Sequence, residues 1–235
     1  MIIQKYADYE AMSAACAVLA AETLRQKPDA LFCFAAGSTS LGMFAALVNM
    51  HRCGTVDFSR ARFVALDEWL DLDDETDNCA SFMRRNLYEP LGIRAEQIKF
   101  FDIHNPGTQA MLSDMNAYLE ASGPIDYMLL GIGMNGHVGF NEPGIPWTEY
   151  ALAADLDNVT ATVGQKYFSQ AMRLTRGVTQ GMRRILETKT VVLQASGAHK
   201  KEIVQKLLDC EPSTALPASA IKTMPNAYFM HDVDL

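Results

Sequence analysis

Between Ile125 and Ile132 the chain reads IDYMLLGI, a short and almost unbroken apolar run. A strand wetted on one face alternates apolar and polar residues; this run does not, so it belongs in a sheet covered on both faces. The run opens directly into Gly131-Ile132-Gly133-Met134-Asn135-Gly136-His137-Val138-Gly139-Phe140-Asn141-Glu142-Pro143-Gly144. Loops that leave the carboxyl ends of such strands are where open α/β sheets bind ligands. The glycines let backbone approach a ligand closely, and His137 and Glu142 supply groups that move or orient a proton. The plain alternative is a tight connection carrying a surface histidine, and the rest of the chain weighs against it.

Helical spacing of alanine, leucine and valine over Tyr9 to Arg25 is followed by an apolar strand at Leu31 to Ala35 and a helix over Thr39 to Met50. The alternation continues with a strand at Arg62 to Leu66, a helix near Cys79 to Tyr88, a strand at Ile98 to Phe101 and a helix over Thr108 to Ala121. Beyond the glycine-rich loop we expect helices near Arg176 to Glu187 and His199 to Asp209, a strand at Thr190 to Ala195 between them, and a last strand near Ala227 to Met230. Alternating strands and helices predict an α/β fold: a doubly wound, mainly parallel, Rossmann-like sheet with helices on both faces. No repeat, low-complexity tract or linker interrupts residues 1–235, so one domain is expected.

Composition excludes several classes. Lys and Arg number 20 against 28 acidic residues, a net charge of −8, and no basic run offers a nucleic-acid surface. The five cysteines are odd in number, widely spaced and without a CxxC pair, which fits neither a disulfide framework nor a zinc site. The start of the chain is polar, and no apolar run approaches the length of a membrane span. The expectation is a soluble, cytoplasmic protein, for which the sequon Asn158-Val159-Thr160 carries no meaning.

Two further strand ends carry chemistry. The stretch Phe34-Ala35-Ala36-Gly37-Ser38-Thr39-Ser40-Leu41-Gly42 joins strand to helix through small and hydroxyl-bearing residues. Free N–H groups and the dipole at a helix start favour an anion, and the Ser38 and Thr39 hydroxyls add donors beside Gly37. No lysine follows as in a nucleotide P-loop and the pattern is not GxGxxG, so a sugar phosphate suits it better than a nucleotide. An ordinary N-cap is the bland reading. At Phe63-Val64-Ala65-Leu66-Asp67-Glu68-Trp69 two carboxylates stand where the apolar run stops. Partial desolvation there gives a carboxylate a pKa suited to taking a carbon-bound proton. The acids from Asp71 to Asp77 read as a solvated loop.

Taken together, AAGSTS, FVALDEW with SFMRRNL, and LLGIGMNGHVGFNEPG resemble the hexosamine-6-phosphate deaminase/isomerase family, a relative of the 6-phosphogluconolactonases. The likeness runs from about residue 10 to 230. It implies conversion of glucosamine or galactosamine 6-phosphate to a ketohexose 6-phosphate and ammonia, without a redox or metal cofactor. By this likeness His137 opens the sugar ring with Glu142 orienting and charging it, Asp67 carries a proton from C2 to C1, and Glu68 holds geometry. Lys166, where relatives place an arginine, and Lys200 complete the phosphate site with Gly37, Ser38 and Thr39. Asn135 stands where glucosamine-type relatives often carry aspartate, and it is expected to hydrogen-bond the ring or a substrate hydroxyl. The NGH form, with LDEW, LTRGVT and STALPAS, leans toward the galactosamine-type branch. The close of the chain at Leu235 leads us to expect no allosteric activation, and a monomer or small homo-oligomer.

The alternatives are a lactonase and a non-catalytic sugar-phosphate sensor. Asn141-Glu142-Pro143 stands where lactonases typically read Ser-Leu-Phe-Pro, which favours the deaminase. Sensors of this fold usually carry a DNA-binding segment, for which no room is expected before Tyr9, and tend to lose carboxylates that are present here.

Overall fold

The apolar runs become a buried sheet whose alternate residues feed two separate cores. The computed structural model describes residues 1–104 and 107–235. The first half contains β1 (Ile2–Lys5), α1 (Tyr9–Gln26), β2 (Leu31–Phe34), α2 (Leu41–Arg52), β3 (Arg62–Ala65), β4 (Asp67–Leu70), α3 (Cys79–Met83), β5 (Ile98–Lys99) and α4 (Thr108–Ser122). The second contains β6 (Tyr127–Gly131), β7 (Ala151–Asp155), α5 (Asn158–Gly164), β8 (Arg176–Gln180), α6 (Met182–Leu186), β9 (Thr190–Ala195), α7 (Lys201–Asp209) and β10 (Ala227–His231).

Seven strands form one parallel sheet in the order β1-β10-β9-β6-β2-β3-β5. From β2 the chain steps outward through β3 to β5, then returns to the other side of β2 and steps outward again through β6, β9 and β10. The reversal lies between β2 and β6, where the crevice outside the carboxyl ends is a natural ligand site. Along β2, Phe32 and Phe34 pack with Met12, Ala17 and Phe44 of α1 and α2. Leu31 and Cys33 turn to the other face, toward Met115 of α4 and Val204 of α7. This period-two division is what a doubly wound sheet requires.

Local chemistry sets the boundaries. Asp8 caps α1 by accepting the Ala11 N–H at 2.8 Å. At the amino ends of the strands buried Asp126 accepts from Lys27 at 2.7 Å, Lys189 at 2.8 Å and the Leu31 N–H at 2.8 Å. That leaves the opposite, carboxyl ends free for function.

Several elements differ from the sequence expectation. A second sheet, antiparallel in the order β4-β8-β7, packs beside the first. The expected helix from Arg176 to Glu187 is a strand as far as Gln180, and only Met182–Leu186 is helical. The cause is tertiary: β8 is sandwiched between β4 and β7, and a side chain at Gly177 would strike the ring of Phe140. β5 is two residues long, and the helix expected over Cys79 to Tyr88 is α3 followed by a π-helical turn, Arg84–Tyr88. Asp67 opens β4 rather than closing β3, because the chain changes sheets at Leu66. The five cysteines are unpaired, and no described helix is long and apolar enough to cross a membrane.

Candidate active site

Four loops from the carboxyl ends of β2, β3, β6 and β9 enclose a cavity of about 420 Å³. Gly37, Ser38, Thr39, Asp67, His137, Lys166 and Lys200 all line it. Glu68 and Glu142 are buried, and with Asn135 they stand behind the wall instead of on it.

The loop after β2 winds through a single 3₁₀ turn, Ser38–Ser40, into α2. The Tyr9 hydroxyl clamps it, accepting the Gly42 N–H at 2.7 Å and lying 3.1 Å from the Thr39 carbonyl. Gln194 of β9 donates to the Ser40 hydroxyl at 3.1 Å. The loop after β9 repeats the design. Asp232 holds the Ser196 hydroxyl at 2.7 Å and the Gly197 N–H at 3.1 Å, and Gly197 has φ 90°, which favours glycine. The next turn carries Lys200, whose ammonium donates to the Ile132 carbonyl at 2.7 Å. Burial, with Lys166 adding repulsion, pushes Lys200 down to about 8. Lys166 lies 5.0 Å over the Tyr167 ring on the segment after α5. Trp69 of β4 supports that segment, packing at 4.7 Å from Phe140 and 5.7 Å from Phe168. Two cations and two helix starts thus face one end of the cavity, an arrangement that suits a phosphate.

Asp67 also lines the cavity. Burial first, then the neighbouring Glu68 carboxylate, push it up to about 7. The Glu68 carboxylate is fully used elsewhere. It accepts backbone N–H groups from Trp69 at 2.8 Å, Cys79 at 2.9 Å and Ala80 at 2.8 Å. Burial pushes Glu68 up and these three donors pull it back.

His137 reaches the cavity from the glycine loop, its ring lying flat on the backbone of Gly133, where a Cβ would collide with it. The loop's Gly139 lies close to Asp67: a Cβ there would come within 3.5 Å of the Asp67 carboxylate. Burial pushes His137 down while Glu142 opposes it, which favours the neutral imidazole. Its Nδ1 is 3.7 Å from Glu142 Oε2, beyond hydrogen-bond reach. The group that contacts Nδ1 is the Thr160 hydroxyl of α5, at 2.9 Å. Asn135 does not face the cavity as expected. Its amide donates to Glu142 Oε2 at 2.8 Å, and its oxygen accepts the His137 N–H at 3.2 Å.

Sequence reasoning missed Tyr9, Thr160 and Tyr167, which all line the cavity. Thr160 gave no signal beyond the sequon, while Tyr9 opens α1 immediately before an apolar helix and looked like ordinary packing.

A family model for glucosamine-6-phosphate isomerases/6-phosphogluconolactonase matches residues 5–229. The chain belongs to this enzyme family. A glucosamine-6-phosphate deaminase of Bacillus pumilus is 33% identical over 224 residues, covering 94% of this chain and 93% of the relative. The same activity is named for a Bacillus velezensis relative, 33% identical over 226 residues, 95% of this chain and 94% of the relative. The structure is similar to that of a monomeric glucosamine-6-phosphate deaminase, with TM-score 0.93 and 28% identity, covering 98% of this chain and 97% of that one. A 6-phosphogluconolactonase from Trypanosoma brucei shares the fold at TM-score 0.74 and 21% identity, covering 98% and 95%.

Proposed function

We propose that this chain converts a 2-amino-2-deoxyhexose 6-phosphate and water to a ketohexose 6-phosphate and ammonia. The observation that carries the reading is one cavity shared by Asp67, whose carboxyl is pushed up to about 7, His137, whose imidazole burial pushes down, and two lysines.

The phosphate is held by Ser38, Thr39 and the N–H groups after Gly37, with Lys166 and Lys200 as counter-charges. His137 moves the proton that accompanies opening of the ring. Asp67, in its ionised form, removes the C2 proton of the open-chain aldose and returns it at C1. The C2 nitrogen is left as an imine, water adds to it, and ammonia departs. Near pH 7 a carboxylate of this pKa is both a competent base and a competent acid, which one group serving both carbons needs. Glu68 holds Asp67 in place through its backbone bonds, and Glu142 supports the His137 loop through Asn135.

The relatives named above favour glucosamine 6-phosphate, while the LDEW, LTRGVT and STALPAS segments favour galactosamine 6-phosphate as a second substrate. We take the protein to be a single-domain, cytoplasmic enzyme without a cofactor, monomeric or a small homo-oligomer; the similar solved deaminase is itself monomeric. A lactonase reading rests on the breadth of the family and on fold likeness to a lactonase 21% identical.

Parallel kinetics on the two amino-sugar phosphates, with 6-phosphogluconolactone as the third substrate, test the proposal. Ammonia is expected from at least one amino sugar. Hydrolysis of the lactone with no ammonia from either would refute it.

A further inference from the structure

Four side chains, His137 and Thr160 on the cavity wall and Asn135 and Glu142 behind it, form one directed hydrogen-bond chain. Asn135 is the member whose orientation is fixed from two sides. Its Nδ2 lies 2.8 Å from a carboxylate oxygen of Glu142, which accepts, and its Oδ1 lies 3.2 Å from the backbone N–H of His137, which donates. A flipped amide would set donor against donor and acceptor against acceptor. The second Nδ2 hydrogen is therefore available to Thr160 Oγ1, 3.4 Å away. With its oxygen addressed by a donor, Thr160 has one hydrogen to give, and His137 Nδ1 stands 2.9 Å from it. Among the described residues the threonine hydroxyl has no other hydrogen-bond partner.

We propose that Thr160 is a positioning residue whose hydroxyl, oriented by the Asn135 amide, holds the His137 imidazole with its proton on Nε2, toward the cavity. The role in ring opening rests on the deaminase reading; the tautomer does not.

The polarity is opposite to that of a histidine backed directly by a carboxylate. There the carboxylate takes an Nδ1–H and leaves Nε2 bare as a base. Here Glu142 is 3.7 Å from Nδ1, too far for that bond, and Thr160 stands at Nδ1 instead. His137 thus meets the closed sugar as a hydrogen-bond donor. Nε2–H is shared with the ring oxygen and stabilises the charge it gains as the C1–O5 bond breaks and its electron pair goes to O5. The anomeric hydroxyl becomes the C1 carbonyl, and its proton ends on O5 with no imidazolate formed. No net proton is gained or lost, and His137 ends in the tautomer in which it began.

Asparagine at 135 is necessary to this polarity. An aspartate would present an acceptor to Thr160, which would then give its hydrogen to residue 135 and take one from Nδ1.

Nitrogen-15 NMR of the full-length protein labelled at histidine, without substrate, reads the tautomer, with His137→Gln assigning the signals. The wild type should show Nδ1 as the unprotonated, pyridine-type nitrogen and Nε2 as the protonated, pyrrole-type one. The reverse pattern overturns the proposal. Thr160→Val should lose this preference and lower kcat roughly 10- to 100-fold with KM little changed, and Thr160→Ser should restore both. Asn135→Asp should move the proton to Nδ1. An unchanged tautomer in Thr160→Val or in Asn135→Asp also overturns it. Failure of ammonia release, by contrast, strikes the deaminase reading and leaves the tautomer measurement as a separate result.

Discussion

Glu68 accepts the backbone N–H of Cys79 at 2.9 Å, tying the strand that carries Asp67 to the start of α3. The same carboxylate raises its neighbour Asp67, after burial the second cause of that group's displacement. Glu68→Gln removes the charge and turns an amide N–H₂ toward at least one N–H that needs an acceptor. Stability should fall by about 2 kcal/mol, read by denaturant or thermal unfolding. In the same variant the acid limb of kcat against pH should move to lower pH. An unmoved limb would show that Glu68 does not act on Asp67.

Asp67 itself links activity to stability. Its pKa rises from an ordinary 3.8 to about 7 on folding, so the folded state binds this proton more tightly than the unfolded chain. The associated stability is fully present below about pH 4 and is lost as pH rises through about 7. Asp67→Asn, which cannot ionise, should abolish turnover while keeping sugar-phosphate affinity. It should also unfold at a higher temperature than the wild type at pH 7, by roughly 1–3 kcal/mol after allowance for the cavity's water. The difference should vanish near pH 4. A variant no more stable at pH 7 would show that Asp67 is not strained by its site.

Lys200 predicts a basic limb in affinity. With its pKa lowered to about 8, its positive charge is lost as pH rises through that value. KM for the sugar phosphate should therefore climb above pH 8 in the wild type. Lys200→Ala should raise KM with kcat less affected, because the anion is bound in both ground and transition states, and its KM should no longer respond over that range. Equal KM values for variant and wild type would take Lys200 out of the site.

Gly133 is close-packed against the His137 imidazole. A methyl group there collides with the His137 ring, so Gly133→Ala should displace it and lower kcat by about 100-fold. Phosphate affinity should persist, since Gly37, Lys166 and Lys200 lie on other loops. Inhibition by inorganic phosphate checks the second half of the prediction independently of turnover.

The parts of the site legible in the sequence share one property: each stands at the carboxyl end of an apolar run or in a short motif of its own. Gly37, Asp67 and His137 follow β2, β3 and β6, and Lys200 follows β9, so the parallel sheet alone brings them to one edge. Thr160 was illegible because it reaches His137 from a helix 23 residues later, through an antiparallel sheet that local periodicity did not reveal. The strands of that sheet, β4, β7 and β8, are short and owe their state to each other. Arg176–Gln180 reads into the helix-forming Met182–Leu186 unless the pairing with Asp67–Leu70 is known. Asn135 was visible as a departure, but its partner was not. Only the fold shows that its amide faces Glu142 and Thr160 rather than a ligand.

One measurement tests the reaction carried through Asp67 most directly. Wild type and Asp67→Asn are incubated with glucosamine 6-phosphate and galactosamine 6-phosphate, and ammonia and ketohexose 6-phosphate are quantified together. Equal amounts of the two products are expected from the wild type with at least one sugar, and neither product from the variant. Undiminished turnover by Asp67→Asn, or no ammonia from the wild type with either sugar, would contradict that expectation.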